Sequence, residues 1–179
     1  MNFRRFVSLE NSHLVCSKIS IESLDSDTEI KIKTGIDGRQ TNSGVQHFFE
    51  MEKRVYDDKF MQYVQKTTES GINICLNTFI KTNTDFNRNF VIERRRLAEE
   101  IQGIVRKNAV FEIEKISLVY TSLDKEFLDK DIKPESFSLE KIKELRESSY
   151  DSLFRVSSES WKNFWEKSEI KIRIRARIE

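Results

Sequence analysis

Apolar and polar residues alternate with a period of two through most of the first two thirds of the chain. Ile19 and Ile21 alternate with Ser20 and Glu22, Ile30 and Ile32 with Lys31 and Lys33, and Ile72, Ile74, Leu76 and Ile80 share one phase across residues 71–81. That period sends successive side chains to opposite faces of a strand, so each run predicts a half-buried strand. Asp57-Asp58 separates the strand-like runs Phe48 to Tyr56 and Lys59 to Lys66, and Glu69-Ser70-Gly71 separates the next pair. These are turn residues between hairpin arms, and an up-and-down antiparallel meander is the simplest topology they predict.

Near Phe111 the alternation changes phase. Phe111 and Ile113 fall in one phase, whereas Ile116, Leu118 and Tyr120 fall in the other. A regular strand with one buried face cannot hide both sets, so a β-bulge near Glu114-Lys115 is expected. The alternative is a strand covered on both faces.

After Pro134, the only proline, the period becomes helical. Leu139, Ile142 and Leu145 predict a short amphipathic helix with Ser138 as its N-cap. A second helix is expected to restart at Ser148 or Ser149, with Ser148 and Asp151 at capping-box spacing. Tyr150, Leu153, Phe154, Trp161, Phe164 and Trp165 form one broad apolar stripe along it, and such a stripe requires a cover. Exposed tryptophan rings stack on sugar faces, but Trp161 and Trp165 at core spacing predict packing. At the carboxy terminus, Ile170, Ile172, Ile174, Ala176 and Ile178 alternate with Lys171, Arg173, Arg175 and Arg177. That is a strand signal whose row of cations would discourage edge-to-edge pairing.

Composition narrows the function classes. The 179 residues are 37% hydrophobic and 34% charged, with 13 Phe, which predicts one soluble globular domain rather than a disordered chain. A formal net charge of +1 argues against nucleic acid as a partner; only Arg94, Arg95, Arg96 and the Arg173, Arg175, Arg177 series resemble a basic stripe. No apolar run approaches the roughly 20 residues that cross a bilayer, and no signal-peptide pattern follows Met1. A cytoplasmic protein without a membrane partner is expected.

The chemistry-bearing residues are sparse. Cys16 and Cys75 lie inside predicted strands, where buried, reduced thiols are expected ahead of a disulfide. His13 and His47 are the only histidines, and without CxxC or HExxH spacing no metal site is expected. The acid pairs Asp25/Asp27, Asp57/Asp58 and Asp129/Asp131 lie in turn-like sequence, whereas glycosidase carboxylates need a rigid separation across a sugar. No GxSxG, P-loop or dinucleotide fingerprint is present, so no catalytic residue and no cofactor are assigned. The best site candidate is the turn-dense stretch GIDGRQTNSGVQH, in which Asp37, Arg39, Asn42 and His47 are polar groups on or beside a long connection. Contact with a neighbouring domain or subunit is the preferred reading, ahead of direct contact with a sugar. The glycines and Asn42 also have a simple explanation as turn formers.

Four segments carry a family resemblance in the same chain order: FRRFVSLENSHLVCSKISIE (Phe3 to Glu22), IKIKTGIDGRQTNSGVQHFF (Ile30 to Phe49), EIEKISLVYTSLD (Glu112 to Asp124) and SYDSLFRVSSESWKNFWEKSEIKI (Ser149 to Ile172). Together they resemble glycoside hydrolase family 65, the maltose, trehalose and kojibiose phosphorylases, and within it the later part of the amino-terminal β-sandwich domain. The resemblance implies a mainly β fold, an antiparallel supersandwich of the galactose-mutarotase-like type with one or two carboxy-terminal α-helices. It implies a sandwich portion over residues 1–134, and over 135–179 a helical segment and terminal strand packed on the same domain, at the start of a linker. In the family a helical linker leads to an (α/α)6 barrel that carries the general-acid Glu and the phosphate site. The expected partners are therefore that barrel, a second copy in a homodimer, and, for the parent enzyme, an α-linked disaccharide with inorganic phosphate as co-substrate. The similar tryptophan helix in the family lies where sandwich meets linker. From Arg173 onward the chain departs from the family pattern, which suggests a truncated reading frame.

Three function classes remain open: a non-catalytic piece of a family 65 phosphorylase or hydrolase, a free-standing carbohydrate-binding sandwich, or a structural interaction domain. Exposed aromatics on a sheet face would favour the second, and association without sugar binding the third.

Overall fold

The computed structural model describes residues 1–127 and 132–168. Eleven strands come first: β1 Asn2–Val7, β2 Leu14–Glu22, β3 Thr28–Asp37, β4 Thr41–Asn42, β5 Val45–Gln46, β6 Phe48–Tyr56, β7 Phe60–Thr67, β8 Asn73–Thr82, β9 Asn87–Glu93, β10 Arg96–Val105 and β11 Val110–Thr121. Two helices follow, α1 Pro134–Glu144 and α2 Tyr150–Ser168. The expected mainly β fold with carboxy-terminal helices is present. The expected terminal strand at 170–178 and the Asp129/Asp131 pair lie outside the described residues.

The strands form a six-stranded sheet in the order β1-β2-β11-β8-β7-β6, a three-stranded sheet β3-β10-β9, and the small β4-β5 hairpin, with antiparallel pairing throughout. One apolar cluster, including Cys16, Phe60, Phe79, Ile116, Leu118, Ile142 and Tyr150, joins the large sheet to the helices. A second, including Ile36, Met61, Tyr63, Ile80, Leu97, Ile101, Phe111 and Ile113, joins it to the small sheet. The architecture is thus three layers deep: helices, large sheet, small sheet.

This layering corrects two expectations. The meander holds for β6-β7-β8 only. The chain then leaves for β9 and β10 in the other sheet and returns as β11 between β8 and β2. Hairpin turns are local signals, but insertion of a returning strand is decided by long-range burial. The bulge at Glu114-Lys115 is also absent, since the register runs unbroken from Val110↔Glu22 to Leu118↔Leu14 and from Ile113↔Thr82 to Thr121↔Ile74. Both apolar phases of β11 are buried, one against each neighbouring layer. The strand is covered on both faces, and the register break falls instead between Glu50 and Glu52 in the edge strand β6.

The hairpin turn at Asp57-Asp58 forms as expected, with φ of 53° and 46°, the left-handed pair that tight hairpins require. Cys16 and Cys75 are both free and buried, and burial pushes each thiol up to about 12.

Helix α1 covers the sheet with Ile142, which is fully buried, flanked by the partly buried Phe137, Leu139 and Leu145. Ser138 is not its N-cap. Pro134 opens the helix and Lys133 holds the cap position without a side-chain bond. Ser138 lies a turn inside, buried, where its hydroxyl accepts from Asn77 Nδ2 at 2.8 Å and donates to Glu135 O at 3.2 Å. Gln62 Nε2 donates to Asn77 Oδ1 and to Glu135 O. A polar ladder therefore fastens α1 to β7 and β8, and the missing cap matters less because proline needs no N–H partner.

Helix α2 starts with a reciprocal cap shifted by one residue from the expected pair. Ser152 N–H donates to Ser149 Oγ at 3.2 Å and Ser149 N–H to Ser152 Oγ at 3.0 Å. Asp151 is thereby left free to reach Lys18 on β2. Lys18 is 6% exposed, and its ammonium lies 3.0 Å from Glu112, 3.4 Å from Glu114 and 3.1 Å from Asp151. Burial alone would lower its pKa, yet hydrogen bonds to Glu112 and Asp151, with their charges, carry it up to about 12. Glu114 also accepts the N–H of Tyr150, the first residue of α2. One buried cation thus holds two strands and a helix start together.

Removing a buried charge and leaving its partners uncompensated is costly. Lys18→Met is expected to lower unfolding free energy by about 3 kcal/mol, read from the urea midpoint. A loss below about 1 kcal/mol would place the clamp among ordinary surface ion pairs.

Candidate functional site

The Asp37–Glu50 connection is built from the end of β3 to the start of β6. Asp37 sits opposite Arg96 in the β3–β10 register. Its carboxylate accepts from the Arg39 backbone N–H at 3.0 Å, from Arg39 Nε at 2.9 Å and from Arg39 Nη2 at 2.6 Å, with Arg96 at 3.5 Å. The Arg39 hydrogen bond, its charge and that of Arg96 hold Asp37 down at about 2. Gly38 donates to Arg95 O at 2.7 Å and lies so close to the Tyr63 ring that a Cβ would collide with the phenol. Gly35, three residues earlier, approaches the backbone of Leu97 and Ala98 just as tightly. These two glycines are read as close-approach residues, not as turns of positive φ.

Arg95 has φ of 58°; its N–H donates to Glu50 Oε2 at 2.6 Å and its guanidinium to Gln46 Oε1. Glu50 also pairs with Lys53 at 2.9 Å and accepts from Tyr63 OH at 3.5 Å. Burial, then the Glu50 charge, pushes the Tyr63 phenol up to about 12. The β4-β5 hairpin turns through Ser43 and Gly44 at φ of 51° and 79°, which places Asn42 at an exposed tip. His47 lines a separate crevice of about 240 Å³ with Thr67 to Ser70, and its carbonyl accepts from Thr68 N–H at 2.9 Å. Of the four candidate residues the structure joins Asp37 to Arg39, and puts Asn42 and His47 elsewhere on the connection.

This arrangement is an anchor by chemistry. A carboxyl held near 2 carries no proton near neutral pH, so Asp37 cannot act as a general acid there. One acid of each described pair is similarly engaged: Asp27 accepts from Lys107 N–H at 2.9 Å and from Arg106, and Asp57 pairs with Lys143 at 2.8 Å. Among the described residues no group of three His, Cys, Asp or Glu is placed to hold a metal. No described helix is long and apolar enough to cross a membrane. The Arg94-Arg95-Arg96 run is not a free basic patch, since Arg96 pairs with Asp37 and Glu93 and the Arg95 guanidinium donates to Gln46 Oε1.

The conspicuous unsatisfied surface lies on α2. Its first turns pack on the sheet, with Phe6 edge-on to Tyr150 at 5.3 Å and to Phe154 at 5.4 Å. Ser157 Oγ accepts from Leu9 N–H, and Ser160 Oγ donates to Glu10 at 2.8 Å. Beyond Ser160, Trp161, Phe164 and Trp165 are 41%, 49% and 58% exposed and stack on one another, the indole rings 6.5 Å apart. The spacing that marked them as a stripe did not show that the stripe's second half stays exposed among the described residues.

Lys18, Glu99 and Lys115 went unnoticed in the sequence. Each is a charged residue in the buried phase of a strand: Lys18 follows Leu14 and Cys16, Glu99 lies between Leu97 and Ile101, and Lys115 follows Phe111 and Ile113. That signal was available.

The architecture is a layered antiparallel β-sandwich with two helices on one face. The glycosyl hydrolase family 65 N-terminal domain matches residues 1–164, and the chain belongs to that family. It is 35% identical over 178 residues to a kojibiose phosphorylase of Halothermothrix orenii, covering 95% of this chain and 23% of that protein. It is 29% identical over 170 residues to a kojibiose phosphorylase of Escherichia coli, covering 94% of this chain and 22% of that protein. A solved chain described as a candidate kojibiose phosphorylase from the human microbiome shares the fold, with a TM-score of 0.78 at 17% identity over 90% of this chain and 21% of its own. The chain therefore spans less than a quarter of the length of these relatives, in the part that forms the amino-terminal domain.

The Asp37 anchor has a pH signature. Its folded value lies below the ordinary 3.8, so its contribution is fully present above that value and is lost as pH falls through about 2. Asp37→Asn is expected to flatten the fall in melting temperature between about pH 4 and pH 2 while leaving the large-sheet core intact. An unchanged acid limb would show that the pair does not hold the connection.

Proposed function

We propose that this chain is the non-catalytic amino-terminal sandwich of a larger family 65 enzyme acting on α-glucosides, and that it supports a separate catalytic (α/α)6 barrel. The parent reaction is inversion at an α-glucosidic bond: the carbon–oxygen bond to the leaving sugar breaks as inorganic phosphate attacks, and a barrel Glu protonates the leaving oxygen. In hydrolase members water replaces phosphate. The sandwich contributes no catalytic group and no cofactor to that step.

The observation that carries this reading is the exposed Trp161-Phe164-Trp165 face beyond the last contact of α2 with the sheet. Large aromatics left 41–58% exposed among the described residues mark a surface suited to a partner. Its place near the end of the matched residues 1–164 supports a contact with a following domain. The match covers 23% and 22% of two longer relatives, and both are kojibiose phosphorylases. Kojibiose is accordingly the first substrate to try for the parent, ahead of maltose and trehalose. Asp37, Arg39, Asn42 and His47 are proposed as secondary contacts to the barrel or to a second copy in a homodimer, in a cytoplasmic enzyme.

Trp161→Ala combined with Trp165→Ala separates docking from folding. In the 179-residue chain the pair of changes is expected to shift stability by no more than about 0.5 kcal/mol, because exposed positions rarely cost more. In the parent protein the same pair should lower the thermal midpoint and the phosphate-dependent release of glucose 1-phosphate from kojibiose. Equal effects in both settings would make the tryptophans part of this domain's own core and remove the docking reading.

A further inference from the structure

A cavity of about 620 Å³ opens where the β6–β7 turn meets the end of β8 and the β9–β10 hairpin, with Asp58, Lys59, Lys81, Arg88, Phe90 and Glu99 in its wall. The anchor loop and the tryptophan face use none of these residues.

Two of them are left with bonds to make. Glu99 is 2% exposed; one carboxylate oxygen is taken by Arg88, which also donates to Ile80 O at 2.9 Å. The second oxygen, Oε2, has no partner among the described residues, and leaving a buried charged acceptor bare is costly. Lys59 is half-buried, and its ammonium makes no ion pair or hydrogen bond among the described residues, resting 5.5 Å from the centre of the Phe79 ring. Burial, and then the like charges of Arg146 and Lys81, lower its pKa. Lys81 is spent on the carbonyl of Ser148 at 2.9 Å.

The cavity thus offers an ammonium short of an acceptor and a carboxylate short of a donor. An anion would satisfy Lys59 and be repelled by Glu99 and Asp58, and a metal cation would meet the reverse conflict. A hydroxyl both donates and accepts, and a ring carrying several can meet both demands at once. Phe90 supplies an apolar face for the C–H side of such a ring, and the volume lies in the range of small-ligand sites, about 300–1,000 Å³. We propose that this cavity is a binding site for a mono- or disaccharide, held between Lys59 and Glu99.

The test is an amide NMR titration of the 179-residue chain with glucose, maltose, trehalose and kojibiose, and in parallel with sodium phosphate and with magnesium chloride. Expected are saturable millimolar shifts with at least one sugar, confined to residues 57–59, 80–82, 88–90 and 99. Lys59→Met should weaken that binding roughly tenfold, the equivalent of one charged hydrogen bond, with an unchanged melting temperature. Asp58→Asn serves as a second variant with the same expected direction, and Trp165→Ala should leave the sugar response as it is. The proposal is overturned if no sugar gives saturable shifts, if they gather on α2, or if phosphate or magnesium alone reproduces the cavity pattern.

Discussion

The large sheet has two apolar faces, and each must be covered. That constraint organises the rest of the molecule. Helices α1 and α2 lie on one face and the three-stranded sheet on the other, so the central strands β11, β8 and β7 carry buried residues in both phases. A strand in that position gains burial from every side chain, which is why β11 needs no bulge to reconcile its two apolar sets.

The layers are also fastened by charges placed where apolar residues would be expected. Lys18 binds two strands of the large sheet to the start of α2. Lys115 reaches from β11 across the sandwich to the carbonyl of Gly35 on β3, and burial lowers its pKa. Glu99 and Arg88 tie the small sheet to the Ile80 carbonyl of β8. Such groups are costly to bury singly, but a paired one is satisfied in only one register, so it rejects slipped alternatives that apolar packing alone would tolerate. They account for much of the way one sheet is held over the other.

The connection between β3 and β6 follows the same logic. A long polar loop presenting Asp, Arg, Asn and His resembles a ligand site, yet most of its charge is spent on holding itself to the β9–β10 turn. What is left unspent lies elsewhere: the aromatic end of α2 and the cavity between Lys59 and Glu99. This distribution of paired and unpaired groups agrees with the supporting role proposed above, since function follows from the site and not from the fold.

Local alternation, turn residues and helical spacing were enough to locate most strands, the Asp57-Asp58 turn, both helices and the aromatic stripe, since each depends on neighbours a few residues apart. The four ordered segments were enough to point to the family. Strand order, the doubly covered β11, the burial of Ser138 inside α1 and the shift of the α2 cap to Ser149 depended on contacts between distant residues, and only the tertiary structure decided them. The candidate site divided in the same way: the Asp37–Arg39 pair is two residues apart and legible in a loop, whereas the separation of Asn42 and His47, the Lys18 clamp and the Lys59–Glu99 cavity arise from strands brought together across the chain. A charged residue in a buried phase marked Lys18, Glu99 and Lys115 as unusual, but periodicity carries no information about a partner on another strand, and burial without a partner is what separates a fastening from a site.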